Sequence, residues 1–521
     1  RQGDRTSTIL FAFGIDPLLG HLSKRLQGHV FHQLPTAGPK HPLFGLPRPV
    51  ESKLKVIGFV DDLKGVITSA KEFEHLDRAL RLFEQSSGSR LHRDPATKKC
   101  QVLPLGRWAN WKQSDVPLDY MALVDQINML GVKLGRNISK TRAINGDELT
   151  KKVQTTIGSY KAGRFSPLVC RPFTANSYVL SKISYRAAVV NLRLADLNKI
   201  QSLVKQWVTQ NLLLKPPEIL LYREVEEGGL GLINTAARCT ANLLKNFVEQ
   251  AHPLSRFPNV YLNSLYRSYA TEELVPPVIK RPSFYSAEFF QLIKEAIVDS
   301  NDNILEITTR GWQKRVLERS ITHIRDPVTG CPDLIKTSQE ALLADADWSN
   351  AWFTIRCQGL SPSHKSLLFQ FANGLMVTNE RLCKLGKLQS PKCDFCDEVD
   401  DRCHLFRCVH NKQMGAGVTN LLSACCGKEI NDSELGTCNL ELTAQLRLPV
   451  LFILCEAIKM FQESRNKKYH LAPAKFSANV KASAKVYDST KKHRDVLSTV
   501  EVLLKRTSAP ATTSPAPACQ L

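Results

Sequence analysis

Residues 53–68, KLKVIGFVDDLKGVIT, decide the fold of the first part of the chain. Apolar residues run up to Phe59-Val60, two carboxylates follow at Asp61-Asp62, and apolar residues resume at Leu63. This pattern predicts two short strands around an acidic turn. Because side chains alternate across a strand, two neighbouring carboxylates can share a task only where the chain turns.

A helix and a further strand are predicted downstream of the turn. Apolar side chains recur at helical spacing over residues 70–85, at Phe73, Leu76, Leu80 and Phe83. Ser86-Ser87-Gly88 stops that helix, and a strand is predicted over residues 100–105. A hairpin, a helix and a strand in this order predict a sheet domain of the α+β class.

The remainder of the chain has mostly helical patterns. Residues 145–250 are helical with breaks at 215–217 and 226–229, residues 275–282 are Pro-rich like a linker, and residues 285–385 are again helical. We expect three tryptophans of the last region to be core residues: Trp312, Trp348 and Trp352. Residues 471–521 are rich in Ala, Ser, Thr, Lys and Pro, a composition that predicts disorder.

Composition limits the classes of function. The chain of 521 residues is long enough for two to four domains, and 70 Lys and Arg against 49 Asp and Glu give a net charge of +21. Such a surplus favours a polyanionic partner, with a merely soluble basic protein as the alternative. The most apolar run, residues 448–455, stops at Glu456 and is too short to span a bilayer. Neither a Gly-rich phosphate loop nor a Gly-x-Ser-x-Gly elbow is present.

Three of the 15 cysteines lie close together with one histidine, as Cys393-x2-Cys396-x7-His404-x3-Cys408. A Cys-x2-Cys turn places two thiolates on one side of an ion, and His-x3-Cys offers a second pair from one helical turn. The spacing therefore predicts a structural zinc site, with unrelated thiols as the alternative. Cys403 and His410 are nearby substitutes for His404 or Cys408. We expect so short and charged a loop to take nearly all its folding energy from the metal.

A series of motifs, in this order, resembles the reverse transcriptases of non-LTR (LINE-type) retrotransposons over roughly residues 1–410. Arg1-Gln2-Gly3-Asp4, with Ile15-Asp16-Pro17-Leu18-Leu19, resembles the segment after their catalytic aspartate strand, and Phe59-Val60-Asp61-Asp62 their aromatic-x-Asp-Asp box. The later matches are Ser87-Gly88-Ser89, the hairpin Leu130-Gly131-Val132, the junction 225–232, and a CCHC knuckle with the adjoining His-Leu-Phe stretch of the family, matched by His404-Leu405-Phe406.

This resemblance implies an RNA-directed DNA polymerase that uses two Mg²⁺ ions and binds an RNA template and a DNA primer or target in the nucleus. Asp61 would bind magnesium, Asp62 would assist, and Gln2 and Gly3 would line the template–nucleotide pocket. The third metal-binding aspartate of the family belongs upstream of Gln2. We therefore expect the chain to be a piece of a longer protein that cannot polymerise DNA by itself.

The resemblance also implies an architecture. We expect a partial right-hand palm of α+β type, a helical thumb, a linker with a helical segment, a small zinc knuckle, a second helical segment and a disordered tail, over residues 1–140, 141–250, 251–385, 386–412, 413–470 and 471–521. The competing hypothesis is a catalytically inert, zinc-dependent nucleic-acid-binding protein derived from a retroelement. Lys392, Phe395, Phe406 and Arg407 are the candidate side chains for contact between the knuckle and a single strand, and the sequence leaves open whether they face a ligand or pack inward.

Overall fold

The chain divides into two compact units whose segments alternate along the sequence. One unit takes residues 1–152, 182–200 and 235–320, and the other takes residues 153–181, 201–234 and 321–521. The computed structural model describes residues 5–31, 52–59, 62–88, 90–97, 99–160, 166–252, 262–263, 265–267, 287–300, 304–321, 348–491 and 495–507.

The strands of the first unit pair two by two. The predicted hairpin around the acidic turn is present: β3 and β4 are antiparallel, and Phe59 is paired with Asp62. The strand predicted over residues 100–105 is only two residues long, and it pairs in parallel with β6. The pairs are β1 (His29–Phe31) with β2 (Ser52–Leu54), β3 (Val56–Phe59) with β4 (Asp62–Gly65), β5 (Gln101–Val102) with β6 (Ala122–Leu123), and β7 (Gln126–Met129) with β8 (Val132–Gly135).

Two helices pack beside these strands, α1 (Arg5–Arg25) and α2 (Lys71–Ser87). The predicted apolar face of α2 is buried with the end of α1 in one core, which includes Leu22, Leu26, Phe73 and Leu80. The Glu72 carboxylate accepts hydrogen bonds from the backbone N–H groups of Thr68 at 2.6 Å and of Gln27. Burial opposes ionisation of Glu72, but these bonds outweigh it and lower the pKa of the carboxyl. One carboxylate thus ties the end of α1 to the start of α2.

The β7–β8 hairpin follows from its two turn residues. Leu130 and Gly131 both have positive φ, at 51° and 80°, between the paired residues Met129 and Val132. Positive φ at both central positions is the type I′ geometry that matches the twist of antiparallel strands. The sequence prediction of a hairpin at Leu130-Gly131-Val132 is therefore confirmed as structure.

The region predicted to be helical between residues 145 and 250 is helical, and its two predicted breaks are present. At the second break Gly228 has φ 77°, and a Cβ there would lie 1.9 Å from the Trp352 ring. Only glycine fits this approach. The helices are α3 (Ile138–Ser159), α4 (Arg171–Thr174), a π-helical turn over residues 175–180, α5 (Ser181–Val189), α6 (Leu194–Thr209), α7 (Glu218–Tyr222) and α8 (Thr235–Ala251).

The three tryptophans predicted to be core residues are buried. Trp312 packs in the first unit with Phe247 and Phe290, and Trp348 stacks on Trp352 in the second unit at 5.1 Å between ring centroids. The Pro-rich segment 275–282 lies outside the described residues. The helices of this region are α9 (Ala287–Ser300), α10 (Thr309–Ile321) and α11 (Trp348–Ile355).

The second unit is built around one long apolar helix, α17 (Ala444–Asn466), whose residues 449–458 are all buried. None of the helices in the described part of the chain combines the length and apolarity needed to cross a bilayer. The helices are α12 (Pro362–Ala372), α13 (Asn379–Lys384), α14 (His404–Arg407), α15 (Lys412–Cys426), α16 (Asp432–Thr437), α17 (Ala444–Asn466), α18 (Pro473–Lys491) and α19 (Asp495–Thr507).

The prediction of disorder from residue 471 onward is wrong for α18 and α19. Phe476, Val480 and Ala484 recur every four residues and are all fully buried, as are Val500 and Leu503 on α19. This i, i+4 spacing forms an apolar stripe on one face of the helix, although the composition of the segment is that of a disordered chain. Residues 508–521 lie outside the described residues. Taken together, the described elements are mostly helical with a few short strands, in agreement with the α+β class at a coarse level.

Candidate metal centre

A tight hairpin positions the first two cysteines of the Cys–His motif. Lys392 and Val399 form an antiparallel bridge, and the backbone N–H of Cys393 donates to the carbonyl oxygen of Glu398 at 2.9 Å. A second bond from Asp400 N–H to Pro391 O, also 2.9 Å, closes the hairpin. The turn that these backbone hydrogen bonds enclose contains Cys396, so the thiols of Cys393 and Cys396 lie on the same hairpin.

The other two candidate ligands lie at the start of the short helix α14, His404, and immediately after its end, Cys408. The N–H of Cys408 donates to the His404 carbonyl at 2.7 Å, which places the two side chains one helical turn apart. The start of this helix is held by Asp401, whose Oδ1 accepts the His404 N–H at 2.6 Å. Asp401 also pairs with Arg407 at 3.1 Å. A carboxylate near the first turn is favourable because it meets the positive end of the helix dipole.

The structure brings the four predicted ligands together. Their donor atoms all lie within 4.8 Å of one another, with 3.7 Å between the sulfurs of Cys393 and Cys408 and 3.2 Å between Cys396 Sγ and His404 Nε2. A tetrahedral ion with metal–sulfur bonds of about 2.3 Å needs edges of about 3.8 Å between ligand atoms. Three thiols and one imidazole at this separation could hold a metal ion such as zinc.

The two substitute ligands, Cys403 and His410, are occupied elsewhere. The Cys403 thiol donates to the carbonyl of Asp432 at 3.2 Å, and burial raises the pKa of this thiol to about 12. The His410 ring stacks on Phe395 at 4.2 Å between centroids, and its Nε2 lies 2.8 Å from the carbonyl oxygen of Tyr469. Neither residue is in the group of donor atoms that faces the centre.

A buried aspartate anchors the hairpin to the rest of the second unit, and Arg407 links α14 to Asp432 of α16. Asp400 is fully buried, and its Oδ2 accepts from Arg465 of α17 at 2.6 Å and from the Asn379 N–H at 2.7 Å. Arg407 pairs with Asp432 at 2.5 Å in addition to Asp401. A buried carboxylate is stable only when it is paired and hydrogen-bonded, and Asp400 has both kinds of partner.

Most of the candidate side chains for contact with a nucleic acid are buried or paired within the protein. Phe406 is buried between Phe371 and Phe461, so of the two alternatives that the sequence leaves open it packs inward. Arg407 is paired with two carboxylates, and Phe395 is half-buried against His410. Lys392 is exposed and lies 3.6 Å from Asp397. Three of the four residues of α14 are buried, including its aromatic side chain, which leaves little of this helix for a single strand to contact.

The residues predicted for polymerase chemistry are described only in part. Gln2, Gly3 and Asp61 lie outside the described residues. Asp62 is the first residue of β4, opposite Phe59. The structure therefore describes the two antiparallel strands that flank the acidic turn.

Two further features of this region were missed by the sequence interpretation. Glu398 lies against the His404 ring, with 3.2 Å between Oε2 and Nδ1. Residues 467–485 contain five lysines and no acidic residue, and the structure folds this segment into the turn that follows α17 and the greater part of α18. The absence of acidic residues was a visible signal for the second feature, whereas nothing distinguishes Glu398 from its acidic neighbours in the sequence. No protein-family model matches the chain, and no curated protein is significantly similar to it.

Proposed function

We propose that this chain is part of the reverse transcriptase protein of a non-LTR retrotransposon, with a structural zinc centre on the C-terminal side of the polymerase region. The observation that carries the proposal is the order of motifs: Arg1-Gln2-Gly3, the Phe59–Asp62 box, the 130–132 hairpin, the 225–232 junction and the Cys–His centre. Each of these is short, but a chance chain has little reason to carry all of them in one order.

The geometry of the acidic turn is compatible with metal-dependent nucleotidyl transfer. Phe59 pairs with Asp62, so the carboxylate pair falls at the connection between two antiparallel strands. Two divalent metals stabilise the attacking and leaving oxygens in this reaction and need several carboxylates. In the complete protein Asp61 would bind Mg²⁺ with an aspartate contributed from upstream, Asp62 would assist, and Gln2 and Gly3 would line the pocket for template and nucleotide.

The zinc centre has a structural role in this proposal. Its four ligands all come from the protein, which leaves no position for water or substrate, and three of the four residues are buried. Closed four-ligand sites with cysteine ligands are characteristic of structural zinc. Zinc would fix the 391–399 hairpin on α14, next to the helices that surround α17.

A second candidate function is a catalytically inert, zinc-dependent nucleic-acid-binding protein of retroelement origin. The observation that favours it is the lysine segment 467–485, where Lys468, Lys475 and Lys485 are exposed. Lys475 lies over the Tyr469 ring at 4.5 Å, and basic groups beside aromatic rings suit a single strand of RNA or DNA. Both candidates therefore bind nucleic acid, and they differ in catalysis.

A primer-extension assay on the complete parent protein, with Mg²⁺, an RNA template and a DNA primer, separates the two. DNA synthesis by the parent, absent from this chain alone, would support the polymerase. RNA binding without synthesis by an intact parent would support the inert binding protein. A parent that neither binds RNA nor extends a primer would contradict both, and synthesis by this chain alone would show that no upstream aspartate is needed.

A further inference from the structure

The orientation of the His404 ring assigns different tasks to its two nitrogens. The residue is fully buried. Its Nε2 is the nitrogen that lies 3.2 Å from Cys396 Sγ and belongs to the group of donor atoms. Nδ1 therefore points away from the position that a metal would take.

A carboxylate is the neighbour of this second nitrogen. Glu398 Oε2 lies 3.2 Å from His404 Nδ1, and Nδ1 is buried without an aligned hydrogen bond among the described residues. A neutral imidazole carries one N–H, and a buried N–H next to a carboxylate is the favourable arrangement. The proton then belongs on Nδ1, which leaves the lone pair of Nε2 directed toward the three thiols. This is the tautomer that a metal requires.

The hairpin holds Glu398 in place through its backbone. The carbonyl oxygen of Glu398 accepts the Cys393 N–H at 2.9 Å, and the next residue, Val399, forms the bridge to Lys392. Glu398 thus contacts a cysteine ligand through its main chain and the histidine ligand through its side chain. Its carboxylate is 68% exposed, so this residue can reach the ring without losing contact with water.

We propose that Glu398 is a positioning residue of the metal centre, which fixes the tautomer and orientation of His404 and strengthens it as a ligand. This inference rests on the proposed zinc centre. The two other acids of the loop have no such contact: Asp394 accepts from Asn379 at 3.1 Å, and Asp397 is 99% exposed and lies 3.6 Å from Lys392. Carboxylates that hold a ligating histidine typically contribute about 10–100-fold to metal affinity.

The test uses the full chain as wild type, Glu398→Ala, Glu398→Gln and Asp397→Asn. Zinc affinity is measured by competition with a chromophoric chelator, and the Co²⁺-substituted proteins are compared by absorption. Long-range ¹⁵N–¹H spectra of protein labelled with ¹⁵N-histidine give the tautomer of His404. Asp397→Asn is the matched control because it removes the same charge from the same loop without touching the ring.

We expect Glu398→Ala to lower zinc affinity by about 10–100-fold and to change the tautomer signal of His404 in the metal-free chain. Glu398→Gln keeps an acceptor oxygen and should lose less, and Asp397→Asn should stay within about threefold of wild type. If wild type binds one zinc ion and Glu398→Ala binds it equally well, this inference is overturned and the zinc centre stands. An equal loss in Asp397→Asn would assign the effect to loop charge and also overturn it. A wild-type chain that binds no zinc would overturn both the centre and the role of Glu398.

Discussion

Phe406 lies two residues after His404, and its ring meets that of Phe461 on α17 edge to face, with 5.4 Å between centroids and 79° between planes. Phe371 contacts the same ring from α12 at 6.0 Å. The metal centre is therefore continuous with the core of the second unit. The expectation that metal supplies nearly all the folding energy of the loop is corrected for α14, because Leu405 and Phe406 bury apolar surface against the unit.

Removal of metal should consequently loosen the hairpin and leave α17 intact. The hairpin 391–399 has few apolar side chains and is held by two backbone bonds and its thiols, whereas residues 449–458 are buried throughout. We expect a strong chelator to speed hydrogen exchange at the amides of Cys393 and Asp400, with little change in the middle of α17. Mass spectrometry of exchanged full-length chain measures both. Much faster exchange in the middle of α17, or unchanged exchange rates in the hairpin, would contradict this prediction.

The ligand set can be tested by serine substitution in the full chain. Cys393→Ser and Cys408→Ser each remove one of four ligands, or roughly a quarter of the binding energy of about 10–16 kcal/mol found for structural zinc. Zinc affinity should fall by at least about 100-fold. The Co²⁺ form should lose intensity in its thiolate charge-transfer band.

Cys403→Ser is the matched control, since Cys403 lies in the same segment but donates to Asp432 O. A serine hydroxyl can make the same bond, so zinc affinity should stay close to that of wild type. A loss as large as that of Cys408→Ser would show that the ligand set is wrongly assigned.

The parts of the structure that sequence could predict are those with a local signal. The acidic hairpin, α2 and the β7–β8 turn follow from alternation, helical spacing and Leu130-Gly131, all within short windows. Cys403 and Cys408 both satisfy a loose spacing rule for zinc ligands. The conformation of α14 decides between them, because it places the Cys408 thiol beside the other three ligands and the Cys403 thiol beside the Asp432 carbonyl. The position of Glu398 could not be predicted, because the sequence does not distinguish which of several acidic residues in the loop reaches the buried His404 ring. Helix α18 was missed because composition outweighed the four-residue spacing of its apolar side chains.

The acidic turn leads to a prediction for the complete parent protein. Asp61→Asn replaces a metal ligand by a neutral amide and should abolish primer extension, because the charge of the metal pair is no longer balanced. RNA binding should change little, since one charge is altered on a chain with a surplus of +21. Extension rate and RNA affinity are measured on the same preparation. Near-normal synthesis by this variant would remove Asp61 from the active site.

A buried carboxylate in α17 predicts a pH dependence of stability. Glu456 accepts from His364 Nε2 at 2.9 Å and from Lys459 at 2.7 Å. Burial by itself would raise the pKa of this carboxyl, but these partners outweigh burial and hold the pKa at about 2, against an ordinary 4.5. A depressed pKa contributes stability that is present above pH 4.5 and is lost as the pH falls toward 2. The size of the shift corresponds to about 3 kcal/mol.

Glu456→Gln should therefore lower hydrogen-exchange protection of α17 at pH 7 by about 2–3 kcal/mol, and the difference from wild type should shrink between pH 4.5 and 2. Glu463→Gln is the control on the same helix, because Glu463 pairs with Lys467 at the surface, where both side chains are at least half exposed. Exposed pairs contribute little to stability, because water screens the two charges. Equal effects of the two substitutions, or a difference that does not depend on pH, would contradict the role given to Glu456.

If the chain binds nucleic acid as proposed, the lysine segment 467–485 should contribute part of that affinity. Among the described side chains, no carboxylate forms an ion pair with Lys468, Lys475 or Lys485, and all three are exposed. Each lysine that neutralises a phosphate of a single strand contributes about 0.7 to the slope of log affinity against log salt. The triple change of these lysines to alanine should therefore weaken RNA binding and reduce that slope by up to about 2.

The matched control for this prediction changes three lysines of the same unit that already face carboxylates. Lys205 pairs with Glu218, Lys384 with Glu380, and Lys428 with Glu434 and Glu441. Their replacement by alanine removes the same formal charge, but from places where the local field is already neutralised, so the slope should change by less than about 0.5. Fluorescence anisotropy with a labelled RNA strand at several salt concentrations measures both variants. If the two triple variants lost affinity and slope equally, net charge alone would account for binding, and the segment 467–485 would have no special role.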